Sequence, residues 1–311
     1  MIIFSDSKQF AEMVMLDDLQ WGEADFRSVG GRLTEIAGYV FDWQAVHQAE
    51  ITSSHCFDYL FISEHSSSSQ YDFIIDLCKQ NAELPHGILL LAGSGSGFHG
   101  QRDRAWESPP GNIYLTAFFA PNKEIHQFGP GFMALPAVSV IDAIDSIEGL
   151  NGRSSLKWVN DILVGNAKVG GVLTYTQAMG PEVTGAVLGI GVNVEAPPEV
   201  ELNEFVPDVA CLSDYVDDIN LCNLRLVLDS LIHNLDRNYQ LLENGDYRQL
   251  LDQYRDRSAI IGREVVICAD DDKPLPDVIA TGRVKSIGEN LELYLEGSDA
   301  PISRGRLILR M

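Results

Sequence analysis

The chain has 311 residues, enough for one large domain with a small companion or for two medium ones. Its 45% apolar and 22% charged residues allow a sizeable core and exclude a disordered or collagenous chain. Lys and Arg number 22 against 45 Asp and Glu, a net charge of −23. That balance argues against nucleic-acid binding and against an anionic membrane surface; solubility or adaptation to a salty setting is its plainest meaning.

Cys56, Cys78, Cys211, Cys222 and Cys268 are far apart, odd in number and without a Cys-x-x-Cys pair. They read as reduced, mostly buried thiols of a cytoplasmic protein rather than a disulfide framework or a zinc site. The first six residues lack the basic start and long apolar stretch of a secretory signal. No run of about 18 apolar residues reads as a membrane span.

Residues 1–54 carry three short apolar patches between acidic and glycine residues; 29–32 read as a turn, 39–43 as a strand, and no helix-turn-helix pattern is present. Residues 57–62 form a short apolar strand. Four serines at 66–69 precede Phe73, Ile74, Leu77 and Cys78, whose spacing is helical, so the serine run supplies an N-cap. Residues 87–92 and 112–120 are continuous apolar runs suited to buried strands, with a glycine-rich loop at 93–100 between them. Leu135, Val138, Ile141, Ile144 and Ile147 mark an amphipathic helix.

Strands follow at 155–158, 161–164, 171–176 and 186–194, with Gly165-Asn166 as a tight hairpin. Leu224, Val227, Leu228, Leu231, Leu235 and Tyr239 mark a long helix running from 221 to 242. After Gly262 only short strands remain: 265–268, 282–287, 291–295 and 307–309. The pattern predicts an α+β protein, a mixed or antiparallel sheet flanked by helices, with a small β-barrel tail. Regular βαβ alternation is missing, which excludes a Rossmann arrangement.

The chemistry concentrates in Lys157-Trp158-Val159-Asn160-Asp161, then Lys168 before Gly170-Gly171, then Gly189-Ile190-Gly191-Val192-Asn193. A fixed ammonium between a carboxylate and a phosphate offsets their repulsion as one attacks the other. An Asp binds Mg²⁺ or sugar hydroxyls, and Asn160-Asp161 equally suits an Asx-turn. Glycines inside a strand require something packed against the backbone: a flat ligand, a bulge or a helix.

The order of these segments resembles the biotin–protein ligase and lipoate–protein ligase superfamily. Its pattern is Lys-Trp-Pro-Asn-Asp, Lys-x-x-Gly-Ile/Val-Leu and Gly-x-Gly-x-Asn, matched here with Val159 in place of the proline. Upstream, residues 104–116 look like the family's Arg-x-Trp-x-Ser-Pro-x-Gly-Asn-Leu-Tyr-x-Ser stretch. The resemblance covers roughly residues 57–311 and implies a class II synthetase-like ligase domain at 55–257, an SH3-like β-barrel at 258–311 and an extension of unknown role at 1–54.

By that resemblance Lys157 is the catalytic lysine. Ser68, Ser69, His99, Gln101, Arg102, Trp106, Gly189 and Gly191 fall beside the acyl ligand. Arg102, Arg104, Asn160, Asp161, Lys168 and Asn193 fall on the nucleotide side, with Asp161 as a Mg²⁺ ligand. The implied activity joins ATP and biotin, or a related carboxylic acid such as lipoate or octanoate, into an acyl-adenylate. The acyl group then passes to a lysine of a carrier protein, and the resemblance admits a homodimer.

One loop departs from the pattern. Biotin–protein ligases carry Gln-x-x-Gly-Arg-Gly-Arg-x-Gly-Arg before the tryptophan; here Gly95, His99 and Gln101 stand for the glutamine and the first two arginines, and only Arg102 and Arg104 keep the charge. Gln101 has no charge, and His99 has one only when protonated. The departure leaves open a biotin enzyme, an enzyme for another acid, and a binding protein without catalysis.

Overall fold

The computed structural model describes residues 1–15, 19–24, 30–42, 46–81, 83–270 and 276–310. The large sheet takes β1 (Ile2–Ser5), β2 (Gly22–Glu23), β3 (His47–Glu50), β4 (Tyr59–Ser63), β5 (Ile88–Ala92), β6 (Ile113–Phe119), β7 (Lys123–Glu124), β8 (Ser154–Lys157), β9 (Asp161–Val164), β10 (Ala167–Met179) and β11 (Glu182–Val192). Its order is β2-β3-β1-β4-β5-β6-β11-β10-β9-β8, with β7 beside β11. The β1–β4 and β4–β5 pairs are parallel and the β5–β6, β6–β11 and β10–β11 pairs antiparallel, which makes the sheet mixed.

The apolar runs explain why both faces are covered. In a pleated strand neighbouring side chains point to opposite faces. Leu89 and Leu91 accordingly join one core, and Ile88 and Leu90 the other. Over the second face lie α2 (Gly31–Phe41) and α3 (Gln70–Lys79); over the first lie α4 (Phe128–Asp145), α5 (Leu224–Glu243) and α6 (Tyr247–Asp256), with α1 (Lys8–Val14) at its margin. Helix α3 starts where the serines end: the Ser69 hydroxyl accepts from the Asp72 amide at 3.2 Å. Helix α4 is apolar on every side because it lies between the sheet and α5. It is long and apolar enough to cross a membrane by length and composition alone, but it is mostly buried and serves here as a core helix.

Two expectations change at the N-terminal end. Residues 39–41, read as strand, belong to α2, because Leu33, Ile36, Ala37 and Val40 repeat at helical spacing and bury together. Trp43, the end of that reading, and Val29 of the expected turn lie outside the described residues. Gly30 and Gly31 do turn, with φ of 69° and 59°. Strand β1 is inserted between β3 and β4, so the first residues are part of the sheet.

A second, four-stranded antiparallel sheet closes the chain as an SH3-like unit: β12 (Glu264–Cys268), β13 (Val278–Ile287), β14 (Leu293–Leu295) and β15 (Arg306–Leu309), in the order β14-β13-β12-β15. It is tied to the large unit by buried hydrogen bonds. The Trp158 indole donates to the Leu291 carbonyl at 2.6 Å, and the Tyr247 hydroxyl to the Glu289 carbonyl at 2.7 Å.

Candidate active site

Strands β8 to β11 are consecutive hairpins, and their register sets one row of residues side by side. Lys157 faces Asp161, Asp161 faces Gly171, Gly171 faces Gly191, and Gly191 faces Tyr114 of β6. Directly opposed residues project to the same face of a sheet. One face of the sheet therefore carries a cation, an anion and then a bare floor of two glycines.

The cation–anion end is tightly paired. Asp161 takes the Lys168 ammonium at 2.6 Å and the Lys157 ammonium at 3.6 Å. Burial pushes the Asp161 carboxyl up, but the Lys168 and Lys157 charges outweigh it and hold it below its ordinary value. Lys157 is only 6% exposed; burial lowers its ammonium, with Asp161 opposing and Lys168 adding to the fall. Lys157 also donates to the Phe205 carbonyl. The Lys168 ammonium lies 5.1 Å above the Trp106 ring.

The glycine floor is occupied by the protein's own rings. A Cβ on Gly191 would meet Trp106 ring atoms at 2.7 to 3.0 Å, one on Gly171 would meet the same ring at 3.2 Å, and one on Gly189 would meet Tyr71 at 3.0 Å. The packed-helix alternative holds for Gly189, under Tyr71 of α3; Gly171 and Gly191 are instead covered by Trp106, a loop side chain the sequence reading did not offer. The Trp106 indole nitrogen and the Asn193 side-chain oxygen are both buried without a partner among the described residues. They leave one donor and one acceptor on the cleft wall for a polar ligand.

His99, which the resemblance sets against an arginine, places both ring nitrogens against acceptors. Its Nε2 is 2.8 Å from the Asp72 carboxylate and its Nδ1 2.9 Å from the Gly100 carbonyl. Both partners are acceptors, so only the doubly protonated imidazole satisfies both. Burial pulls its pKa down, yet the Gly100 carbonyl and the Asp72 and Asp103 carboxylates outweigh that and leave it raised.

Every residue given a role by the resemblance lines a single cleft of about 330 Å³ except Ser68 and Arg102. The Ser68 hydroxyl instead pairs with the Tyr39 hydroxyl of α2 at 2.8 Å. Arg102 turns away to Asp270 at 3.2 Å. Asn160 ties the β8–β9 turn to β10, its side-chain amide donating to the Val172 carbonyl at 2.7 Å, a bond to another strand rather than a local Asx-turn. Asn193 donates to the Ala210 carbonyl at 3.0 Å.

The sequence reading missed Tyr71, Phe205 and Arg306 as lining residues and Asp270 behind the loop. Arg306 opens an apolar strand, which was its available signal; the others carried none. Asp161, already matched by two ammoniums, does not fit a protein-held Mg²⁺, and no cluster of three His, Cys, Asp or Glu side chains exists among the described residues.

The architecture is a mixed sheet covered by helices, with a small antiparallel C-terminal sheet and a lysine-lined cleft. Residues 76–193 match the model of the Biotin/lipoate A/B protein ligase family. It is similar to the Bifunctional ligase/repressor BirA of Bacillus subtilis, 33% identical over 129 residues, 41% of this chain and 37% of that one. It is likewise similar to Biotin–[acetyl-CoA-carboxylase] ligase of Paracoccus denitrificans, 34% identical over 111 residues, 35% of this chain and 45% of that one. The chain spans less than half the length of these curated relatives. Its fold is that of the biotin protein ligase from Aquifex aeolicus solved in complex with biotin and ATP, at a TM-score of 0.60 and 20% identity, over 82% of this chain and 99% of that one.

Proposed function

We propose that this chain is an ATP-dependent biotin–protein ligase-like enzyme. It activates a carboxylic acid as its acyl-adenylate and transfers the acyl group to a carrier-protein lysine. The observation that carries the reading is Lys157, a buried ammonium at the end of a cleft, sharing the Asp161 carboxylate with Lys168.

An acid oxygen attacks the α-phosphorus of ATP, the bond to the β,γ-phosphates breaks, and pyrophosphate leaves. Negative charge builds between the two anions during that step. Lys157 is fixed by the Phe205 carbonyl and Asp161, so its charge is in place before the reaction and costs no reorganisation. The carrier amine then attacks the acyl carbon and AMP leaves. Trp106 and Tyr71, packed on the glycine floor, wall off water from the acyl end.

In this reading residues 55–257 are the ligase-like domain, 258–311 the SH3-like unit, and 1–54 an extension of the large sheet. Mg²⁺ enters with ATP. The net charge of −23 and the reduced thiols fit a cytoplasmic enzyme whose partners are an acid and a carrier protein, not nucleic acid or membrane, with a homodimer admitted. A second reading, an enzyme for lipoate, octanoate or another acid, is supported by Gln101, which lines the cleft and which the resemblance sets against the family's second arginine. A binding protein without catalysis is the remaining alternative.

Calorimetry of the purified protein with biotin, lipoate and octanoate, each with and without ATP and Mg²⁺, separates these. Biotin binding that tightens when ATP is present supports the first reading. Stronger binding of another acid supports the second. Binding of an acid with no pyrophosphate released leaves the non-catalytic alternative.

A further inference from the structure

The loop before Trp106 ends on a backbone that L side chains avoid. Arg102 and Asp103 are both left-handed, with φ of 58° and 55°, and neither is glycine. Such a turn persists only where its surroundings hold it.

The holder is in the other unit. Asp270, just past β12, takes Arg102 Nε at 3.2 Å on one carboxylate oxygen and Arg104 Nη1 at 3.0 Å on the other. Its side chain is 15% exposed. A single carboxylate thus grips the turn from both sides. Arg104 lines the cleft, and its other guanidinium donors have no partner among the described residues. Asp270 therefore stands behind Arg104 and not between it and the cleft.

We propose that Asp270 is a positioning residue for the cleft's anion site: the SH3-like unit holds the loop turn so that the free donors of Arg104 face the phosphates of a nucleotide. The proposal rests on the reading of the cleft as an ATP site and is tested through ATP affinity itself. A guanidinium presents several donors in a fixed fork, so one nitrogen can serve Asp270 while the others serve a phosphate.

The test uses the full chain and ATP as probe, with affinity from calorimetry and KM and kcat from acid-dependent pyrophosphate exchange. Asp270→Asn should weaken ATP about tenfold or more, the effect of misplacing one charged hydrogen bond. The KM for ATP should rise with it while kcat and the KM for the acid hold. Asp270→Glu should recover part of the loss. In an Arg104→Gln background, Asp270→Asn should add nothing, because the carboxylate acts through that arginine.

Unchanged ATP affinity in Asp270→Asn overturns the proposal. So does tighter binding, which would make Asp270 a competitor of the phosphates. If Asp270→Asn does not fold, the Glu variant decides: parental ATP affinity together with a freed loop in hydrogen exchange sinks the idea. A parent that binds ATP without acid-dependent exchange removes the ligase reading and leaves the affinity comparison decisive. A parent that binds no ATP overturns both.

Discussion

Trp106 packs on Gly191, so close that a Cβ at that glycine would stand 2.7 Å from the ring. The contact fixes the indole on the sheet floor and beneath the Lys168 ammonium. Gly191→Ala forces the ring to move or the strand to bend. Overpacking of this kind costs about 1–3 kcal/mol. The expected outcome is a lower melting temperature together with a shifted tryptophan emission; a variant with parental values in both would show that the ring is not seated there.

Lys157→Ala should lower acid-dependent pyrophosphate release by about 10² or more, the size expected for one lost electrostatic stabiliser. Asp161 keeps its 2.6 Å partner Lys168 in that variant, so the fold should survive. Equal rates in variant and parent would remove Lys157 from the chemistry. The reciprocal change, Asp161→Asn, leaves two ammoniums without their shared anion and should cost stability, on the order of 1–3 kcal/mol. Thermal unfolding of the two variants should therefore rank them Lys157→Ala above Asp161→Asn.

His99 supplies a pH dependence with a defined sign. Its folded pKa is raised above 6.5, so its pairing with Asp72 is fully present below that value and is lost as pH rises through the folded pKa. Asp103, 3.7 Å from Nδ1, acts in the same direction. An NMR titration should place the His99 midpoint above 6.5, and Asp72→Asn should lower it. Protection of residues 93–104 from hydrogen exchange should fall across the same interval. A midpoint at or below the ordinary value would contradict the paired geometry.

Gln101 tests which acid is used. Gln101→Arg introduces into the cleft the charge that the resemblance sets at this position. For a biotin enzyme, biotinyl-adenylate should then be retained more tightly by roughly 1–3 kcal/mol, read from its off-rate. If lipoate or another acid is the natural substrate, the arginine should bring no gain with biotin.

The part of the site visible in the sequence is the part built from neighbouring segments. Lys157, Asp161 and Lys168 lie on strands joined by short connections and Asn193 directly follows the last of them, so motif order translates directly into spatial order. Helix α5 and the Ser69 cap were legible for the same reason: periodicity and capping are local. Strand β1 was not, because four residues read as a strand only once β4 lies parallel beside them. Helix α2 was misread because a short apolar run fits both periods. Asp270 holds the cleft's Arg104 from more than 100 residues away, and the Tyr39 hydroxyl donates to the carbonyl of the cleft residue Ser69 from 30 residues away. No spacing rule links an aspartate of one unit to an arginine of another. The glycines were legible as close contacts, but which ring fills them is decided by tertiary packing.

The insertion of β1 between β3 and β4 has a consequence for anyone trimming this protein to its recognisable ligase portion. Leu60, Phe61 and Ile62 of β4 are wholly buried, and β1 covers the hydrogen-bonding edge beside them. Cutting at residue 54 would turn a central strand into a bare, apolar margin, the kind of edge through which chains stick to one another. The shortened protein should come out as aggregate even though every motif residue is still in it. The boundary drawn by resemblance and the boundary of the smallest soluble body are then different lines, and the second runs through the first five residues.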